Sequence, residues 1–273
     1  MIARLFMAVC RFSPYLRRLI WRHWYQFLAR FYKKKDWSFI NYGYAPLDGQ
    51  TEKLQLDEPD EPNRYCIQLY HHVANVVDLW DLRVLEVGSG RGGGSYYIKT
   101  ILKPNHMVGV DFSQRAVGLC YKSYFFVAGL SFVTGDAEYL PFKDNSFDVI
   151  VNVESSHCYG SMDAFLTQVT RVLRQGGYFL FADFRGKDEI DILREQLRRS
   201  GMSLIKETNI TRNVIEALTL DNDRKMALLQ KSVHKMLLKQ FHEFAGLIGS
   251  MMYEGFRTGK VIYSSFVLQK PTH

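Results

Sequence analysis

Residues 83–102, RVLEVGSGRGGGSYYIKTIL, constrain the fold more than any other stretch. A short apolar run leads into five glycines among the seven residues 88–94, and a helix-prone segment follows. Glycine at that density ends both strand and helix, and it leaves a turn whose backbone a ligand can approach closely. The same strand-then-helix unit recurs down the chain. HMVGVDFS (106–113) precedes QRAVGLCYKSYF (114–125), and LSFVTGDA (130–137) and FDVIVNVE (147–154) precede MDAFLTQVTRVLR (162–174). GGYFLFADF (176–184) precedes DEIDILREQLRRSG (188–201). These strands are apolar throughout rather than alternating, so both faces are buried, which predicts an α/β, doubly wound, mostly parallel sheet with helices on both sides. SLIKETNIT (203–211) and KVIYSSFVLQ (260–269) bring the strands to seven. A helix over Asn63 to Val77 precedes the first strand, and a helical insertion with Met226, Met236, Met251 and Met252 occupies about 211–258.

Gly88, Gly90 and Gly93 spell G-x-G-x-x-G, a pattern that often cradles a dinucleotide pyrophosphate. Glu86, two residues before the first glycine, argues against an anion. Two unit charges 4 Å apart interact by about 4 kcal/mol at an effective dielectric of about 20, so Glu86 repels a pyrophosphate and attracts an ammonium or sulfonium. Asp111 ends the second strand, where an acid accepts hydrogen bonds from ribose hydroxyls. Asp136 ends the third, placed to accept from an adenine amino group. Three acids at three successive strand tips suit a cationic nucleoside and disfavour the alternative of a nicotinamide-dependent oxidoreductase.

VLEVGSGRGG, VGVDFS, GDAEYLPFKDNSFDVIVNVESSHCY and VTRVLRQGGYFLFAD resemble the successive motifs of class I S-adenosylmethionine-dependent methyltransferases over about residues 60–185. The resemblance implies a Rossmann-like sheet with an antiparallel last strand and S-adenosyl-L-methionine as cofactor. It places Glu86, Gly88 and Gly90 at the methionine part, Asp111 at the ribose, Asp136 with Ala137 at adenine, Asn152 in the pocket wall, and Phe112 among the cofactor-binding residues. On this reading Gly93 completes the dinucleotide pattern incidentally. FINYGY, DEPNRYCIQLYH and NVESSHCY further resemble the phthiotriol/phenolphthiotriol dimycocerosates methyltransferases, which extends the match to residues 37–185 and implies a hydroxyl on a hydrophobic lipid or polyketide-like molecule as methyl acceptor.

Methyl transfer to a hydroxyl needs alignment, exclusion of water and a proton acceptor. His157, after the fourth strand, is the expected general base, because an unperturbed imidazole titrates near neutral pH. Glu154 is the second candidate, either as base or as partner of the cofactor's ammonium. Tyr159 is read mainly as packing, His71 as a weak candidate for substrate contact, and Cys158 as having no nucleophilic task. The methionines of 211–258 are read either as a helical pair on the sheet edge or as an adaptable wall over the acceptor. No metal site is expected. Carbon methylation of a sterol or quinone is the alternative within the fold, and a non-catalytic scaffold the alternative outside it.

The net charge of +7 is concentrated. Residues 1–35 hold nine Lys or Arg and no acid, which leaves 26 basic against 28 acidic residues elsewhere. A nucleic-acid partner for the whole domain is therefore not expected. Leu16, Ile20, Trp24, Phe27 and Phe31 share one helical face opposite Arg18, Arg22 and Arg30. Residues 1–36 are thus read as a basic amphipathic arm on a catalytic domain over 37–273. The arm suits either packing on the domain or an anionic membrane surface. Four scattered cysteines and the lack of a secretory signal suit a cytoplasmic, peripherally membrane-bound protein.

Overall fold

In the computed structural model, which describes residues 37–47 and 54–272, the seven apolar runs pair into one sheet. The strands are β1 (Arg83–Val87), β2 (His106–Asp111), β3 (Leu130–Thr134), β4 (Phe147–Val153), β5 (Leu173–Gly186), β6 (Ser203–Asn209) and β7 (Val261–Gln269). Their order is β3-β2-β1-β4-β5-β7-β6. The first five are parallel, and β7 runs antiparallel between β5 and β6. The sheet is thus doubly wound, as the alternation of elements predicts, with the antiparallel last strand in place.

The strand order reverses between β1 and β4, and a crevice opens beyond the carboxyl ends of the strands at such a point. Helices α1 (Arg64–Ala74) and α2 (Gly93–Tyr97) flank β1, and α3 (Gln114–Tyr124) follows β2. Helix α4 (Met162–Val172) follows β4, and α5 (Ile190–Arg199) follows β5. Ser113 and Ser161 cap α3 and α4 by accepting the amide N–H groups of Ala116 and Ala164, which satisfies donors that a helix start leaves open. Helix α4 is two residues shorter than the sequence pattern suggests. Leu173 is extended and pairs with Phe147, so β5 begins as soon as the helix stops.

The period of two along each strand divides the core. Val84, Val149, Val151 and Leu180 face α1 and the C-terminal helices, whereas Leu85, Val87, Ile150 and Phe179 face α4 and α5. The insertion between β6 and β7 forms α6 (Thr211–Leu220), α7 (Asn222–Ser232), α8 (Leu238–Phe244) and α9 (Met251–Arg257). Its own small core joins Leu229, Val233, Phe241 and Leu247 to Trp37, whose ring meets Phe241 edge-on at 5.9 Å. The arm expected over 1–36 lies outside the described residues. Among the described residues, no helix is long and apolar enough to cross a membrane.

Candidate active site

A cleft lies over the ends of β1, β2 and β4, and it encloses about 1190 Å³ including its open mouth. Its floor is the loop after β1. Gly88 has φ +79, and a Cβ there would stand 2.3 Å from Ser155 Oγ, so only glycine fits. Asp111 locks the loop from the neighbouring strand: Oδ2 accepts the N–H of Gly90 at 2.9 Å and Oδ1 accepts that of Ser113 at 2.8 Å. Burial pushes the Asp111 carboxyl up to about 6 against the pull of these two donors. Phe112, Asp136 and Ala137 line the same end of the cleft. The structure therefore brings together Gly88, Gly90, Asp111, Phe112, Asp136 and Ala137.

Glu86 and Asn152 are placed differently. Both are fully buried and neither lines the cleft. Glu86 shares the face of Val84, so its side chain turns down towards α1 and α2. There it accepts hydrogen bonds from Tyr70 Oη at 2.7 Å and from Ser95 Oγ. Burial pushes its carboxyl up to about 7, partly offset by those donors, so it is a weaker attractant for a cation than its sequence position suggests. Asn152 Nδ2 donates to Val87 O at 2.8 Å, to Ser155 Oγ at 2.7 Å and to Tyr159 Oη at 3.0 Å, which braces the floor from below. The two residues support the cleft's shape.

A strap that the sequence reading did not place forms the roof. Ser38, Phe39, Ile40 and Asn41 all line the cleft. They come close because Gly93 has no side chain: its N–H donates to Ser38 O at 3.2 Å, and a Cβ would sit 2.5 Å from that oxygen. Gly93 is therefore not incidental to the loop, as the motif comparison implied, but the seat of the strap. Two buried polar atoms at the cleft, Ser89 Oγ and Asn41 Oδ1, have no hydrogen-bond partner among the described residues. Such atoms are costly unless something polar meets them.

Glu154, Cys158 and Tyr159 also line the cleft. Glu154 has φ +47, a strained conformation for a residue with a side chain and one that clusters at functional sites. Its N–H is tied to Ala182 O at 2.9 Å. Its Oε1 accepts from Tyr42 N at 2.8 Å and Tyr263 Oη at 3.0 Å, and among the described residues no hydrogen bond reaches Oε2. Burial pushes this carboxyl up to about 7. His157 does not line the cleft. Its Nδ1 meets Asp183 Oδ1 at 2.9 Å and its backbone N–H donates to Oδ2 at 2.9 Å, while its ring lies against Phe184 at 4.4 Å. Burial alone would keep the imidazole neutral, but the facing Cys158 and Asp183 outweigh it and raise its pKa. Asp183 is held well below the usual carboxylate range, since His157 and Arg185 overcome the effect of burial. At neutral pH the pair is an imidazolium beside a carboxylate. Asp183 was legible in principle, because the apolar run of β5 stops at it, although the strand itself continues to Gly186.

His71 Nδ1 meets Tyr97 Oη at 2.7 Å and His72 Nε2 meets Ser265 Oγ at 3.1 Å, so the two rings diverge and neither lines the cleft. Met226, Met236, Met251 and Met252 are also absent from its lining, which removes the reading of a methionine wall over the acceptor. Tyr42, Phe184, Phe256 and Tyr263 do not line the cleft either; they pack together in the core behind Glu154, with Tyr42 5.6 Å from both Phe184 and Phe256. Among the described residues no group of three His, Cys, Asp or Glu is placed to hold a metal ion.

Two buried carboxyls raised from 4.5 to about 7 have a thermodynamic consequence. The folded state then holds their protons more firmly than the unfolded chain does, so their contribution is full below the unfolded value and is lost as pH rises through about 7. The raised His157 and Asp111 act in the same direction, while the lowered His71 and His72, kept neutral by burial, oppose it in part. The ligand-free protein is therefore expected to melt at least about 3 °C lower near pH 8 than near pH 5. A thermal melt that is flat across that window refutes the assignment of these carboxyls.

A family described as a methyltransferase domain matches residues 80–246. The chain is 37% identical over 261 residues to the phthiotriol/phenolphthiotriol dimycocerosates methyltransferase of Mycobacterium tuberculosis (strain ATCC 25618 / H37Rv), with 94% of each chain covered. It is 35% identical over 247 residues to the fatty-acid O-methyltransferase of Mycolicibacterium smegmatis, covering 90% of this chain and 88% of that one. Among solved structures, a putative sarcosine dimethylglycine methyltransferase from Galdieria sulphuraria aligns with a TM-score of 0.69 at 13% identity, over 89% of this chain and 98% of that one. Geranyl diphosphate methyltransferase in complex with S-adenosylmethionine aligns at 0.61 and 14% identity, over 85% and 98%. At such identities these structures speak for the fold.

Proposed function

The chain belongs to the methyltransferase-domain family, and from that premise we propose that it transfers a methyl group from S-adenosylmethionine to an oxygen of a lipid acceptor. The observation that carries this reading is that one cleft gathers acidic strand tips, a glycine floor and a near-neutral carboxyl, Glu154. The residues present fit the cofactor. The glycine floor allows close approach, Asp111 is placed for ribose hydroxyls, Asp136, Ala137 and Phe112 for the base, and the unpartnered Ser89 Oγ and Asn41 Oδ1 for the amino-acid part. When bound, S-adenosylmethionine supplies an electrophilic methyl on a sulfonium.

The chain's own part is placement and proton removal. The strap Ser38–Asn41 shields the cleft from water. Phe39, Ile40 and Val153, which line the cleft, give an apolar acceptor its surface. Glu154 Oε2 takes the hydroxyl proton, since a base that titrates near neutral pH is ionised when needed. His157, held by Asp183, is a positioning residue: its positive charge lowers the Glu154 pKa and keeps more of that carboxyl in the basic form. The two relatives named above act, by their names, on phthiotriols and on fatty acids. That supports a lipid acceptor whose reacting atom is oxygen.

The test supplies the protein with S-adenosylmethionine labelled at the methyl, together with long-chain fatty acids and long-chain polyols. Label is expected in the lipid fraction as a methyl ether or methyl ester, identified by mass fragmentation. A methyl found on carbon supports the sterol or quinone alternative instead. Label confined to water-soluble products overturns the lipid reading.

A further inference from the structure

We infer that the corner between α7 and α8 is a docking surface for an anionic lipid bilayer. Residues 224–242 contain five Lys or Arg and no acid. Arg224 and Lys225 are already paired with Asp221. Lys231, Lys235 and Lys239 are exposed and form no ion pair among the described residues. Between them stands Met236, 80% exposed, the most exposed large apolar side chain of the described residues. Exposed lysines before and after an exposed apolar side chain in one short segment match the chemistry of a headgroup layer, where ammonium groups meet phosphates and the apolar group enters the acyl boundary.

The corner is also well placed. Its core of Leu229, Val233, Phe241 and Leu247 encloses Trp37, and the next four residues, Ser38–Asn41, line the cleft. The docking surface and the strap therefore share one anchor. The sequence that precedes Trp37 carries nine further Lys or Arg among residues 1–35 and no acid there. A lipid acceptor leaving a bilayer at the corner has the strap beside it on the way to the cleft. This last step rests on the methyl-transfer reading, but the docking itself does not and is measured without turnover.

The experiment uses the full chain and vesicles of phosphatidylglycerol and phosphatidylcholine in equal parts. Co-sedimentation is expected at low salt and not at high salt, and not with phosphatidylcholine alone. The triple substitution Lys231→Glu, Lys235→Glu, Lys239→Glu is expected to lower partitioning about tenfold or more. Affinity for S-adenosylhomocysteine, measured by calorimetry, is expected to stay the same. A triple variant that partitions like the parent overturns the inference. Because other basic segments contribute to binding, Met236→Trp gives a local readout. Its added emission is expected to shift to the blue on vesicles and to be quenched by brominated acyl chains; a spectrum that ignores vesicles also overturns the inference. If the triple variant instead loses affinity for heparin while keeping vesicle binding, the corner serves another polyanion and the lipid assignment is wrong. Loss of S-adenosylhomocysteine binding in the unsubstituted protein, by contrast, sinks the methyl-transfer reading and leaves the docking result standing.

Discussion

Glu154→Gln is expected to lower kcat by about 10²-fold or more while leaving the affinity for S-adenosylhomocysteine unchanged. Glutamine keeps the volume, and its carbonyl oxygen can still accept from Tyr42 N and Tyr263 Oη, so the packing behind it persists. What disappears is the proton acceptor, and general-base catalysis is worth that factor. The pH dependence follows from the raised carboxyl. Only the ionised form is a base, so kcat of the parent rises with pH through about 7 and then levels. His157→Ala removes the positive charge that favours the ionised form. It is therefore expected to shift the rising limb to higher pH and to lower the rate at neutral pH, with the plateau recovered in part above it. A purely structural role for His157 moves the rate but not the limb. If Glu154→Gln turns over like the parent, the base lies elsewhere, and His157 is next in line. A base at His157 predicts a different profile, because its raised pKa places the rise above neutral pH.

The acids at the strand tips were legible for a simple reason: an apolar run that stops at Asp111 or Asp136 places the carboxylate beyond the sheet, where ligands of this architecture bind. The same rule misdirects Glu86, one residue inside β1. Strand periodicity turns it to the face of Val84, beneath the floor, and a motif comparison has no view of which face a side chain takes. Asn152 is displaced from the cleft in the same way, one residue inside β4. The strap could not be read at all. Its place over the cleft depends on Gly93, which lies 55 residues after Ser38, and on Trp37 reaching a core made by residues near 230–247. Of the two readings of the methionines, the adaptable wall rests on Met suiting varied pockets, but α7 and α8 bury Leu229 and Phe241 and leave Met236 outside. An ordinary imidazole pKa was expected for His157, and Cys158 together with Asp183, the latter from a different strand, changes that.

Asp111→Ala is expected to weaken S-adenosylmethionine and S-adenosylhomocysteine alike by about 10²-fold, close to 3 kcal/mol. Two losses add. The carboxylate holds the N–H groups of Gly90 and Ser113 before any ligand arrives, so alanine frees the floor and its order must be restored on binding. The ligand's ribose hydroxyls then also lose a charged acceptor. Asp111→Asn separates the two: one amide oxygen can still accept from the loop, but the negative charge is gone, so its loss is expected to be intermediate. The parent's affinity should rise with pH through about 6, where the carboxyl ionises, and then stay level. The sign follows because hydroxyl donors prefer the ionised form, and the protonated acid must first give up its proton to receive them. Calorimetry across that range reads both effects, and a melt of the ligand-free variant confirms that it is folded. An alanine variant that is folded and binds with the parent's affinity leaves Asp111 only its two backbone partners and removes it from the cofactor site.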